Sequence, residues 1–531
     1  MRAMAPSPTR KPMYRPFLIT SKHMRPTHCL FIFLPLLGGT LHAATSPNIV
    51  VILADDLGYG DVQCNNRDRG KIPTPNIDRL ASEGMRFTDA HTSSGVCSPT
   101  RYSLLTGRYH WRTRLQSGIV QYLERPLIAP DRLTLAGLLK QQNYHTGAFG
   151  KWHLGWDWSI RANERAFFNP GRGIKHPVTT DAHQAAWQRV YSQPIEGGPT
   201  TRGFDEYFGT DVPNWPPFAF IQRDRTVGIP TEFLATKNIE PKLVSVQGPS
   251  LAGWELENVL PTITDKACDF IMHAAKDRKT FFMYMPLTSP HTPIAVTDEW
   301  RGKSGLNGYA DFVMETDAMV GRVLAALEKS GAADNTLLVF TSDNGCSPLA
   351  DIKQLESAGH FPSGPLRGYK ASVWEGGHRV PFIVRWPGKV KAGTQCDQLV
   401  QQTDLMATFA EVIAAPVPPG SGEDSVSIVS LLHGETQPVR EYGISHSSSG
   451  VPCLRKGDWK IIFGKESDKE ARSGSGAPGQ LYDLATDLGE TKNLWSKHPQ
   501  LVAELTAAME RIVASHTNDV AVHWARFLVQ E

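Results

Sequence analysis

Cys97-Ser98-Pro99-Thr100-Arg101, running on through Tyr102-Ser103-Leu104-Leu105-Thr106-Gly107-Arg108, joins a nucleophile, a helix start and a fixed cation in one short run. Pro99 lacks a backbone N–H and suits the first helical turn. Cys97 then falls at the helix N-terminus, where unpaired N–H groups and the positive dipole end favour an anion. Arg101 adds a permanent positive charge nearby. A cysteine that merely caps an ordinary helix fits the same pattern, so the helix start alone leaves both readings open.

Other residues could work beside it. Asp55-Asp56 and Asp343-Asn344 offer only oxygen donors, which suit calcium or magnesium and not zinc. Taken singly, the first pair also fits a polar loop after a strand, and Asn344-Gly345 an ordinary turn. Lys151 and His153, in Gly150-Lys151-Trp152-His153-Leu154-Gly155, put a cation and an imidazole on one loop. His291 stands between Pro290 and Pro293, a constrained placement that suits a positioned acid as well as a structural histidine. Trp156, Trp158, Trp187, Trp215 and Trp254 could stack on sugar rings, although core packing accounts for most of them.

These residues need elements to bring them together. Asn48–Ala54, Tyr144–Phe149, Phe281–Met285, Thr336–Thr341 and Val380–Trp386 are predicted to be buried strands. Leu133–Gln142, Thr264–Lys276, Gly308–Lys329 and Asp404–Ala414 are predicted helices. Their alternation predicts an α/β fold with a mostly parallel central sheet flanked by helices. Residues 155–260, frequent in Gly, Pro and Trp, suit long loops over a pocket. Asp55-Asp56, Lys151, His153, His291 and Asp343-Asn344 each follow a predicted strand. Such folds place their sites at the carboxyl ends of strands, so these groups and Cys97 should meet on one sheet edge.

The run at Cys97 resembles the type I sulfatase signature C-x-P-x-R followed by x-x-x-L-T-G-R. The resemblance extends from about Pro47 to about Leu494 and is strongest to arylsulfatase A and N-acetylgalactosamine-6-sulfatase type enzymes. It implies the alkaline-phosphatase-superfamily fold and hydrolysis of sulfate monoesters. It implies that Cys97 is oxidised to Cα-formylglycine, whose hydrate attacks sulfur, by a formylglycine-generating or anaerobic sulfatase-maturating enzyme. It also implies one Ca2+ held by Asp55, Asp56, Asp343 and Asn344 with position 97 itself. Lys151 and Lys370 would bind sulfate, Arg101 would hold the nucleophile or sulfate charge, His153 would assist the hydrated aldehyde, and His291 would protonate the leaving oxygen. Lys370 rests on Gly368-Tyr369-Lys370 ahead of Trp374-Glu375-Gly376-Gly377, where Tyr369 replaces a common glycine. Arg202-Gly203-Phe204-Asp205-Glu206-Tyr207-Phe208-Gly209 is also sulfatase-like and suits scaffold.

Composition sets the bounds. The 531 residues are 40% hydrophobic and 20% charged, ordinary for a globular chain with room for a large domain and a smaller one. Six Lys/Arg precede residue 29 and no acid precedes Asp55; without that segment 49 basic residues face 53 acidic ones, which argues against a nucleic-acid partner. The basic stretch leads into Cys29–Leu37, then Gly38-Gly39 and Ala43-Ala44, the pattern of a signal peptide over residues 1–44, with Met24 as an alternative start. The apolar run is too short for stable membrane insertion. With no Asn-x-Ser/Thr sequon, a bacterial periplasmic or secreted enzyme is expected in preference to a lysosomal one. Residues 45–418 are expected to form the catalytic domain. Residues 419–531 should form a small C-terminal α+β subdomain, with Trp459–Phe463 and Gln480–Leu484 in an antiparallel sheet and Pro499–Ser515 a closing helix. Cys64, Cys268, Cys346, Cys396 and Cys453 are an odd set that allows at most two bridges. The substrate expected is a saccharide sulfate ester. The rival readings are a phosphate or phosphonate ester hydrolase of the same superfamily and an inactive secreted glycan-binding protein.

Overall fold

Every residue of Asn48–Ala54 is buried. From Ile49 on the run is apolar, because the strand is central and covered on both faces. It pairs in parallel with Phe281–Pro286 on one side and Thr336–Ser342 on the other. His145–Lys151 and Glu206–Thr210 extend the parallel set beyond Phe281–Pro286. Short strands complete a ten-stranded sheet, and Phe382–Arg385 joins it antiparallel to Thr336–Ser342. The computed structural model describes residues 46–168, 179–234, 247–464, 477–522 and 524–527, together with Pro16. The predicted signal segment therefore lies outside the described residues, Pro16 apart.

Side chains alternate between two cores, as the period of a strand requires. Ile49, Val51 and Leu53 pack with helices Cys97–Thr106, Leu135–Gln141 and Leu405–Val412. Val50, Ile52 and Ala54 pack with Val259–Lys276 and Gly308–Lys329. The first of these two helices starts five residues before the predicted Thr264, because Pro261 lies in its first turn, where no N–H is required.

The stretch predicted as loops holds, among several shorter elements, one longer helix and one strand of the main sheet. Helix Asp181–Tyr191 begins at Thr180, whose side chain accepts the His183 N–H, and buries Ala186, Trp187, Val190 and Tyr191. Glu206–Thr210 is a sheet strand with Tyr207 and Phe208 buried. Trp156, Trp158, Trp187 and Trp215 are all buried, as core residues should be.

Gly443–His446, Pro452–Lys456, Trp459–Ile462 and Gln480–Asp483 form a separate antiparallel sheet near the C-terminus. Helix Pro499–Ala514 closes it, burying Leu505, Ala508 and Met509 against Ile444, Leu454, Ile461 and Leu481. Tyr109 and Trp111 share that core, and Ser46–Glu531 forms one compact unit. Cys64, Cys268, Cys346, Cys396 and Cys453 are all free, so neither allowed bridge forms among them.

Candidate active site

Cys97 opens its helix from an extended Val96 and is buried. Lys151 ends its strand with its ammonium 3.6 Å from Cys97 Sγ and 2.7 Å from Asp55 Oδ2. The Cys97 thiol in turn donates to Asp55 Oδ1 at 3.7 Å. One helical turn on, Arg101 gives Nε and Nη2 to Asp343 Oδ2 at 3.1 and 2.8 Å, and Nη1 to the Lys151 carbonyl at 3.0 Å. Asp343 Oδ1 accepts the Asp56 N–H at 3.2 Å. Lys370 lies 2.6 Å from Asp56 Oδ1, and His291 Nε2 lies 3.7 Å from Asp56 Oδ2. Cys97, Arg101, Lys151, His291 and Lys370 are thus linked through Asp55, Asp56 and Asp343, whereas the hydrogen bonds of His153 go to Val120 and Asp211.

The two histidines differ in which nitrogen is left free. His153 Nε2 faces the Val120 carbonyl at 3.1 Å and donates to it, while Nδ1 is buried with no hydrogen-bond partner. His291 turns Nδ1 toward the Thr292 carbonyl, so Nε2 faces the carboxylates. Trp215 meets the His153 ring edge-on, centroids 5.4 Å apart. Asp56 and His153 hold left-handed backbone, with φ of 66° and 53°. Such conformations at non-glycine residues cost energy and persist where the surroundings over-determine them.

Electrostatics separates the acids. Burial opposes ionisation of Asp55, yet Lys151, then His291, Arg101 and Lys370 outweigh it and hold the carboxyl well below its usual range. Asp343 goes the other way: burial, then the Asp55 charge, lift it to about 7 despite Arg101. Burial pushes the Cys97 thiol up to about 12. As a plain thiol it is therefore protonated and weakly nucleophilic at neutral pH. Burial and then Lys151 push His291 down to about 4 and His153 well below the ordinary histidine value.

The oxygen donors of the cluster, and not its sulfur or imidazole, fit a hard cation. Asp55, Asp56, Cys97 and His291 each bring a ligand-type atom within 4.8 Å of the others. Asn344 gives its Nδ2 to Asp56 Oδ1 at 2.8 Å, but its buried Oδ1 has no hydrogen-bond partner. An orphaned amide oxygen among carboxylates is what a calcium-type site requires.

Two neighbours escaped the sequence reading. Asp211 is half-buried, accepts the His153 N–H at 3.2 Å, and is raised to about 6 by desolvation of its carboxyl. It follows Glu206–Thr210, so reading that strand would have exposed it by the same strand-end rule. The Val120 carbonyl has no side-chain signal that a sequence could show.

A family model described as Sulfatase matches residues 47–415. The chain belongs to the sulfatase family. It is thus a sulfuric ester hydrolase. A second model, N-sulphoglucosamine sulphohydrolase, C-terminal, matches residues 369–515 of this sulfatase. An N-acetylgalactosamine-6-O-sulfatase of Bacteroides thetaiotaomicron is 32% identical, over 88% of this chain and 93% of that one. Human arylsulfatase A is 30% identical, over 90% and 89%. A solved Bacteroides thetaiotaomicron structure, from work on metabolism of multiple glycosaminoglycans, matches with a TM-score of 0.75 at 30% identity, covering 88% of this chain and 99% of that one.

Proposed function

We propose that this sulfatase removes sulfate from a saccharide, with a formylglycine made from Cys97 and one Ca2+ at the Asp55, Asp56, Asp343 and Asn344 oxygens. The observation that carries the reading is the contact of Cys97 Sγ with both Lys151 Nζ, at 3.6 Å, and Asp55 Oδ1, at 3.7 Å. A thiol held near pKa 12 is a poor nucleophile, so the position makes better sense as a precursor. When present, the hydrated aldehyde supplies a hydroxyl nucleophile and Ca2+ supplies charge stabilisation for sulfate oxygen.

The chain's own residues do the rest. Lys151 and Lys370 bring two ammonium groups to the carboxylate cluster, where they can hold an anionic sulfate ester. Arg101 commits its donors to Asp343 and the Lys151 carbonyl, so its part is to fix those two groups. His153, neutral and with Nδ1 free, can hold a proton taken from the nucleophile. His291 can deliver a proton from Nε2 to the departing alcohol. An anionic ester brought beside it favours the protonated ring that burial alone disfavours.

The saccharide class is supported by the names of the relatives, an N-acetylgalactosamine-6-O-sulfatase and an N-sulphoglucosamine sulphohydrolase C-terminal region. Export to the periplasm or outside is supported by the segment over residues 1–44. No helix among the described residues is long and apolar enough to cross a membrane. The division into 45–418 and 419–531 is supported by the separate C-terminal sheet. A maturation enzyme acting on Cys97 completes the proposal. Release of inorganic sulfate from defined sulfated sugars tests it. Turnover of at least one such sugar is expected, and activity on aryl phosphates alone would overturn it.

A further inference from the structure

Lys370 lies in the middle of a loop whose two ends are tied to one residue of the C-terminal region. Glu490 follows the strand Gln480–Asp483 and is fully buried, at 0% exposure. Its Oε2 accepts the Glu375 N–H at 2.7 Å. Its main-chain carbonyl accepts from Arg367 Nη1 at 2.6 Å. Residues 367 and 375 are the two shoulders of the loop that presents Lys370 to Asp56. Glu490 Oε1 is also 2.8 Å from Lys460 Nζ, which reaches Glu375 Oε1 at 3.0 Å.

The loop needs such a clamp. Ala371, next to Lys370, holds φ of 79°, and Gly368 holds 81°. A left-handed alanine is strained and stays only where its neighbours fix it. Its N–H donates to the Gly95 carbonyl at 2.7 Å, beside the Cys97 helix, and its carbonyl accepts from the Ser448 N–H at 2.9 Å. The lysine side chain itself is long and rotamer-rich, so its aim depends on where this backbone is held.

The geometry points to Glu490 as a positioning residue for Lys370, with the C-terminal region setting where the ammonium stands by gripping both ends of the 367–375 loop. This rests on the proposal that Lys370 binds sulfate. Glu490 touches no reacting atom, so its effect should pass entirely through the lysine.

A double-mutant cycle with inorganic sulfate as the probe tests the link. Inhibition by sulfate and kcat/KM on a sulfate ester are measured for wild type, Glu490→Ala, Lys370→Ala and the double variant, with Tm alongside. Displacing a binding group by about 1 Å can cost on the order of a hundredfold, so Glu490→Ala should weaken sulfate inhibition about tenfold or more. In the Lys370→Ala background the same change should add almost nothing, because coupled residues are non-additive. Glu490→Asp keeps a charge for Lys460 but draws the carboxylate back from the Glu375 N–H. It replaces Glu490→Ala if that variant does not fold, and the same pattern is expected of it. Losses that multiply, or a lower Tm with sulfate inhibition at the wild-type level, would overturn the inference. Failure of Lys370→Ala to weaken sulfate inhibition would instead count against the role of Lys370.

Discussion

Arg101 Nη2 lies 2.8 Å from Asp343 Oδ2, and neither side chain has any exposure to solvent. The pair joins the second turn of the Cys97 helix to the end of strand Thr336–Ser342. It therefore locks the nucleophile position to the acid cluster. Because both groups are buried, losing the guanidinium leaves the Asp343 carboxyl either charged and unpaired or forced to take up a proton.

Replacing Arg101 with Met, which keeps bulk but no charge, should destabilise the fold by about 3–5 kcal/mol. In an Asp343→Asn background the same replacement should cost much less, since the stranded charge is gone. Urea unfolding of the four proteins gives the coupling. Equal losses in both backgrounds would show that the pair is not mutually dependent.

Metal should follow the same acids. Chelated protein should regain activity with Ca2+ better than with Zn2+, and Asp343→Ala should lose bound metal and activity together. Elemental analysis beside the assay checks this. Full turnover by metal-free protein would remove Ca2+ from the account.

His291→Ala should separate leaving groups. A sugar alkoxide needs a proton as the S–O bond breaks, whereas nitrophenolate leaves without one. The variant should lose about 10²–10⁴-fold on a sulfated sugar and far less on nitrophenyl sulfate. Equal losses on both would make His291 a binding or structural residue.

Stability should fall in mild acid, and His446 should carry a definable part of that fall. Its ring is buried beside Trp111, neither ring nitrogen has a hydrogen-bond partner, and burial holds its pKa down to about 3. In the unfolded chain a histidine titrates near about 6.5. Between those values only the unfolded state takes the proton. The stability is complete above pH ~6.5 and is lost toward pH ~3, at about 1.4 kcal/mol per pH unit for the one group. Urea midpoints of wild type should therefore drop faster between pH 6 and 4 than those of His446→Phe. Parallel slopes would mean that His446 is not held neutral.

The sheet edge was legible because its carriers are strong local signals. Residues 49–54 and 337–340 are apolar runs inside fully buried strands, and the acids they deliver follow each strand directly. Cys97, Lys151, His291 and Lys370 stand in short runs with a family likeness. Glu206–Thr210 was lost because Glu-Tyr-Phe-Gly-Thr is short, begins with a charge and contains glycine, and Asp211 was lost with it. Glu490 had no local signal at all. Its importance comes from contacts with Arg367 and Glu375, more than a hundred residues earlier in the chain. Periodicity cannot report a carboxylate whose partners are set only by how the C-terminal sheet packs.

Replacing Cys97 isolates the nucleophile. Cys97→Ala should abolish turnover and keep the fold. Cys97→Ser, if it stays unmodified, should stop after one turnover with sulfate attached, since a serine has one hydroxyl and lacks the second needed for release. Intact-protein mass after exposure to substrate reads the trapped group. Multiple turnovers by an unmodified serine form would refute the mechanism.

On the proposed mechanism position 97 works as an aldehyde and not as a thiol. Tandem mass spectrometry of the peptide carrying residue 97, from protein purified in active form, tests it most directly. The peptide should be lighter than its cysteine form by the difference between CH2SH and CHO, in a fraction that tracks specific activity across preparations. Full sulfate-releasing activity in a preparation whose position 97 is entirely unmodified cysteine would contradict it.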